Sequence, residues 1–162
     1  MNDLIFSWLN QYLSKEWAVF FTACLPIVEL RGAIPLAIAL GISPWKAYLL
    51  SVAGNTVPVI PLLLYLRPIR LFLISNSSFM ESFFGWLDKR TINKSAQIEK
   101  YGAVALILFT AIPLPTTGAW TASLAALLFK IKFRYAFPAI IAGIFLAGII
   151  MTILSLTGKA IF

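Results

Sequence analysis

The sequence predicts an all-α integral membrane protein of two inverted repeats. Each repeat holds an interfacial amphipathic helix, a re-entrant (broken) helical hairpin and a spanning helix. Three observations carry that reading: too few charges for a water-facing surface, two apolar stretches long enough to cross a bilayer, and two more interrupted midway by proline, glycine and polar residues. Of the 162 residues, 60% are hydrophobic and 12% charged, and the mean hydropathy is +0.91. Soluble domains carry about 25% charged residues. This balance excludes a soluble enzyme and a nucleic-acid-binding domain, despite the net charge of +7. The basic residues cluster at the ends of apolar segments, where they report orientation against the bilayer. With no His and one Cys, Cys24, disulfide frameworks and His-based metal or acid–base chemistry fall away as well. Cys24 reads as a small packing residue.

Taken in order, Met1 to Trp17 carries Asp3 and Glu16 and no basic n-region, so no cleavable signal peptide is expected. Leu4–Glu16 places Leu4, Trp8 and Tyr12 on one face and reads as interfacial. Trp17–Gly41 is the first broken segment, with Pro26, Glu29, Arg31, Gly32 and Pro35 at its middle. Trp45–Leu66 reads as a spanning helix softened by Pro58 and Pro61. Phe79–Lys100 is again interfacial, with Phe79, Phe83 and Trp86 opposite Glu81, Ser82, Asp88 and Lys89. Gly102–Phe129 is the second broken segment, through Pro113, Pro115, Thr116, Thr117 and Gly118, and Tyr135–Leu156 is the second spanning helix. Each apolar stretch exceeds the roughly 20 residues that cross a bilayer as helix.

The halves match in order and in scraps of sequence. Phe21-Thr22-Ala23 echoes Phe109-Thr110-Ala111, Gly32 pairs with Gly118, and Lys46-Ala47-Tyr48 resembles Arg134-Tyr135-Ala136. The whole is read as one membrane domain, 1–162, with repeat 1 at about 3–66, a cytoplasmic interfacial segment at about 67–101 and repeat 2 at about 79–158. Inverted repeats with broken helices meeting at the midplane are a recurrent transporter architecture.

Each side of a break is roughly 10 residues of helix, about 15 Å or half a bilayer. The broken segments are therefore either discontinuous spanning helices or re-entrant hairpins that leave by the face they enter. The positive-inside rule favours re-entrance. That layout leaves only Lys15, Lys46 and Lys159 on one face and gathers Arg67–Lys100 with the Lys130–Arg134 corner on the cytoplasmic face. The spanning layout divides these charges 8 against 4, and the re-entrant layout 9 against 3.

Glu29 is the one carboxylate inside an apolar stretch. An ionisable group at that depth costs at least ~2.5–3.5 kcal/mol and is a functional candidate. It is read either as a proton-coupling site or as half of a structural pair with Arg31. Burial favours its neutral form and the neighbouring cation its charged form, the balance that proton coupling needs. Thr after Pro, then a run of helix formers, reads as an N-cap at Thr116–Thr117, and Gly32 as the start of the other outgoing half-helix. Two half-helix N-termini would then present N–H groups to an anion, with Arg31 beside them. The substrate-binding candidates are thus Arg31, Gly32, Asn55, Thr116, Thr117, Gly118 and Trp120, and the hairpin breaks are Pro26, Pro35, Pro113 and Pro115. Asn55, one turn from Ser51 and two from Ala47, must face the bundle, as interhelical glue or as substrate lining. Ala139, Gly143 and Ala147 form a small-residue packing seam. Trp17 and Trp45 suit the interfacial belt; the indole of Trp120 beside the second break would find a partner in the central site.

With Glu-Leu-Arg-Gly-Ala-Ile-Pro at 29–35 and Ala-Ile-Pro-Leu-Pro-Thr-Thr-Gly-Ala-Trp-Thr at 111–121, nearly the whole chain resembles the bacterial and archaeal family of small multidrug export proteins. More distantly it is similar to the DedA-like (VTT-like) membrane proteins. That resemblance implies two opposed re-entrant hairpins, with Glu29, Pro35, Pro113 and Pro115 at their tips, and transport of polyprenyl phosphate or phospholipid. Where the DedA-like pattern has Arg in the second hairpin this chain has Thr110, which leaves Arg31 as the cation at depth. The expectation is a multi-pass transporter of the cytoplasmic (inner) membrane of a bacterium or archaeon. Glu29 would exchange protons at a midplane site between the hairpins, Arg31 would hold an anionic headgroup, and the repeats would rock about that site. The alternatives are a proton-coupled exporter of hydrophobic cations or a non-transporting scaffold. No enzyme activity, cofactor beyond a proton gradient, metal or nucleic acid is expected; the partners are membrane lipids, a small amphipathic substrate and a second copy in a homodimer.

Overall fold

Proline and glycine stand at several of the helix boundaries among the described residues. The computed structural model describes residues 15–92, 95–114 and 117–161. Among them the order is α1 (Lys15–Cys24), α2 (Glu29–Ala39), α3 (Pro44–Thr56), α4 (Val59–Asn76), α5 (Ser78–Ile92), α6 (Ser95–Ala111), α7 (Ala119–Leu128) and α8 (Phe133–Ile161), with no strand. The amphipathic stretch through Leu4, Trp8 and Tyr12, and also Pro115 and Thr116, lie outside the described residues.

The chain forms two compact units, residues 1–55 with 147–162 and residues 56–146. In the first, the break expected within Trp17–Gly41 is present. Helix α1 stops at Cys24, turns through Leu25–Val28, and α2 packs back along it. The two ends meet: Lys15 Nζ donates to the Leu40 carbonyl at 3.3 Å, and Lys46 faces Glu16 at 3.7 Å. An exposed ion pair of this kind adds little stability, but it fixes the geometry. The hairpin returns to the level at which it began. Its tip is apolar and open, with Ile27 93% exposed. Helix α3 then lies against α1 at Gly54, where an added Cβ would run into the Phe20 carbonyl and the Ala23 side chain. The Cys24 thiol donates to the Gly54 carbonyl at 3.0 Å, so Cys24 packs as the sequence predicts. The later part of α8 meets α3 at Gly148, beside Tyr48 and Val52.

In the second unit α4 packs on α7 and α5, and α6 on α7. Helix α6 ends at Ala111, the chain breaks through Ile112–Gly118, and α7 follows as a ten-residue helix. Gly143 brings α8 against α6 at Ile107 and Thr110. The seam of Ala139, Gly143 and Ala147 is buried throughout. The segment expected as one interfacial stretch over 79–100 is divided: α5 ends at Ile92, and Ser95–Lys100 opens α6. Phe84 of α5 turns inward at 6% exposure while Phe79, Phe83 and Trp86 form an open apolar face.

The two hairpins share a backbone pattern that their sequences hide. Among the described residues, positive φ occurs at Glu29 (50°), Gly41 (81°), Gly118 (148°) and Lys130 (54°). Gly118 and Lys130 stand as far apart as Glu29 and Gly41. Both second helices end in the same turn: Ile42 N–H bonds the Ala37 carbonyl at 3.0 Å, and Ile131 N–H bonds the Ala126 carbonyl at 2.9 Å, the six-to-one bond of a Schellman cap. The next helices also begin alike, with Ala47 N–H on Ser43 and Ala136 N–H on Lys132, both at 2.9 Å. In this register Gly118 corresponds to Glu29 and not to Gly32, and Ala136 to Ala47 and not to Tyr48. The likeness in this register is one of turn hydrogen bonds and of small buried side chains, Ala47 and Ala136 both being fully buried.

Two helices are long and apolar enough to cross a membrane, Pro44–Tyr65 (22 residues, running from α3 into α4) and Phe133–Gly158 (26 residues). Only 33% of each apolar window is buried, the condition of a lipid-facing helix and not of a soluble core. Helix α3 gives way to α4 at Val57–Pro58, since Pro58 lacks an N–H. Pro61 falls in the first turn of α4, where its missing N–H is harmless.

Candidate functional site

Glu29 opens α2 at only 5% exposure. A left-handed backbone costs a non-glycine residue roughly 1–2 kcal/mol; Gly118, at the matching position of the second hairpin, also has a positive φ but a more extended one, φ 148° and ψ −174°. A carboxylate therefore stands where backbone geometry alone would prefer glycine. Arg31 is half-buried two residues on and interacts electrostatically with Glu29.

Asn55 is 1% exposed and Ser51 0%, so this stripe of α3 faces inward as expected. Neither the Ser51 hydroxyl nor the Asn55 Oδ1 has a hydrogen-bond partner among the described residues. A buried polar atom left this way costs about 1–3 kcal/mol, and lining a polar ligand would offset it. In the register of the two hairpins, Ile140 and Ile144 take the places of Ser51 and Asn55, so this buried polar stripe has no counterpart on α8. The end of α1 joins these groups: Glu29 N–H bonds Leu25 at 3.0 Å, and the preceding Cys24 touches the carbonyl of Gly54, the neighbour of Asn55.

Several expected roles change. Gly32 does not begin a half-helix: α2 starts at Glu29, and the Gly32 N–H already bonds the Val28 carbonyl at 3.1 Å, leaving no donor for an anion. Pro26 lies in the turn and Pro113 in the second break, but Pro35 sits inside α2. Its fixed φ suits a helix, and the lost N–H removes only the bond to the Arg31 carbonyl. Thr117 is not an N-cap. Its hydroxyl donates backward to the Ile112 (2.7 Å) and Leu114 (3.1 Å) carbonyls, stapling the break, while Gly118 precedes α7 without a side-chain cap. Trp120 is half-buried in the first turn of α7, its indole nitrogen shielded. Thr110 is buried against Gly143 and donates to Leu106 at 2.7 Å, a packing role. Glu29, Arg31, Gly32 and Asn55 belong to the first unit, and Thr117, Gly118 and Trp120 to the second.

One feature escaped the sequence. Between α4 and α7 lies a cleft of about 450 Å³ lined by Arg70 and Lys130 with Leu63, Leu71, Ile74, Leu127 and other apolar groups. Arg70 and Lys130 are distant in sequence and register there only as topogenic charges. No local pattern marks them as neighbours.

Two helices long and apolar enough to cross a membrane, with open apolar faces, define a helical membrane protein. The chain belongs to the family described as "Putative small multi-drug export protein", whose model matches residues 29–150. That match begins at Glu29, just after the first break, and takes in the second break and the cleft. Searches of curated proteins and of solved structures return no match.

Proposed function

We propose that this protein is a proton-coupled membrane transporter of amphipathic molecules, with Glu29 as the coupling carboxylate. The observation that carries the reading is Glu29 itself, buried in a left-handed conformation beside Arg31. Ionised, Glu29 is balanced by Arg31. Protonated, it releases Arg31 to bind an anionic headgroup, so proton and anion favour each other's binding and travel together. The unpartnered polar atoms of Ser51 and Asn55 supply further contacts for a polar head.

Re-entrant placement of both hairpins, in an inner membrane, completes the reading. Two juxtapositions support it. The base of the first hairpin joins Lys15 to Leu40, and the cleft joins Arg70 to Lys130. Were either segment to cross, its pair would stand about 30 Å apart on opposite faces. The open apolar tips, Ile27 in the first and Ile112 and Leu114 in the second, suit a hydrocarbon interior.

The family description favours a second reading, export of hydrophobic cations. A cation would compete with the proton for Glu29, giving exchange and not co-transport. Vesicles containing the purified chain and a trapped pH dye separate the two. Under the first reading, added dodecyl phosphate draws protons in the direction of its own movement, and E29Q abolishes the proton signal. Tetraphenylphosphonium moving against protons would establish the second. Wild-type proton movement in E29Q would remove the coupling role altogether.

A further inference from the structure

We propose that the cleft between α4 and α7 is a binding site for an anionic phospholipid, with the phosphate held between Arg70 and Lys130 and an acyl chain along the apolar wall. The site is separate from Glu29, and the inference stands whether or not the chain couples transport to protons. Its volume, about 450 Å³, falls within the range of small-molecule pockets. Among the described residues lining it, the charged ones are Arg70 and Lys130, both cations. The Arg70 guanidinium lies 4.8 Å from the centre of the Phe84 ring, which holds its direction. Ser123, fully buried at the back, donates its proton to the Ala119 carbonyl at 2.7 Å, so the two cations are the anion-binding groups. Leu63, Leu71, Ile74 and Phe133 leave a surface suited to hydrocarbon.

Lys130 gives the strongest reason. It occupies the left-handed residue of a Schellman turn, φ 54°. The equivalent turn of the first hairpin uses Gly41, φ 81°, the residue such turns prefer. A lysine there strains the backbone and places an ammonium group at the cleft. The C-terminal carbonyls of α7, which would repel an anion, are occupied by the N–H groups of Phe129, Lys130 and Ile131.

Lys130→Gly separates binding from folding, because it removes the charge and relieves the backbone together. The full chain in neutral detergent would be titrated with phosphatidylglycerol or phosphatidylcholine of equal chain length, and retained lipid read by native mass spectrometry. We expect wild type to prefer phosphatidylglycerol. Lys130→Gly and Arg70→Gln should each weaken that preference about five-fold, with the thermal midpoint of Lys130→Gly no lower than wild type. Lys89→Gln on α5, outside the cleft, should leave it unchanged. Equal loss in Lys89→Gln would mean diffuse charge attraction and overturn the site. Inorganic phosphate binding as tightly as the lipid would overturn the lipid as its source, as would equal retention of the two lipids by wild type.

Discussion

Glu29 and Lys130 are chemically opposite residues in the same backbone predicament, and each corresponds to a glycine in the other hairpin. Their strain is measurable apart from any activity. Gly41 has open space around the position of a Cβ, so Gly41→Ala changes backbone preference and nothing else; it should lower unfolding stability by about 1 kcal/mol. Lys130→Gly should raise it by a similar amount, both read by thermal denaturation in one detergent. If the two substitutions do not move in opposite directions, the left-handed turns are not the source of strain. Glu29 was legible in the sequence because a lone carboxylate in an apolar run is conspicuous. Its backbone angle was not, since φ at one residue depends on how the turn before it closes, and Leu25–Val28 contains nothing that demands the left-handed region.

Helix contacts here turn on glycine. At Gly54, α3 approaches α1 so closely that any side chain meets the Phe20 backbone oxygen. A backbone atom cannot rotate aside, so Gly54→Ala should cost about 1–3 kcal/mol and loosen the hairpin from α3, read as faster proteolysis between α1 and α3. Gly85, with open space around the position of its Cβ, is the comparison: Gly85→Ala lies within α5 and should be neutral or stabilising by up to about 1 kcal/mol. At this scale the sequence placed the breaks well, because proline and glycine act locally. It misjudged which residue starts each half-helix. Thr116-Thr117 carries the composition of an N-cap, yet the Thr117 hydroxyl donates backward to the Ile112 and Leu114 carbonyls within the break, and that competition is invisible until the break has a shape.

Across the molecule the testable matter is which charges share a face. In a Cys24→Ser background, single cysteines at Lys15 and Lys46 should both react with a membrane-impermeant maleimide from one side of sealed vesicles. Cysteines at Arg70 and Lys130 should likewise agree with each other. Disagreement within either pair would show a segment that crosses the bilayer instead of folding back.

The sequence alone settled the solvent. Composition and the positions of the apolar stretches point to a membrane, because transfer free energies add residue by residue and need no fold. It also located both interruptions, since a proline's missing N–H acts wherever the proline stands. Only tertiary structure decided that Lys15 meets Leu40, that the Ser51 hydroxyl and the Asn55 Oδ1 are buried with no partner among the described residues, that Glu29 takes a positive φ, and that Arg70 and Lys130 line one cleft. Each of these depends on how far the chain turns at a break. A small change in a few dihedral angles there carries the next helix through many ångströms, and no property of the individual residues records it.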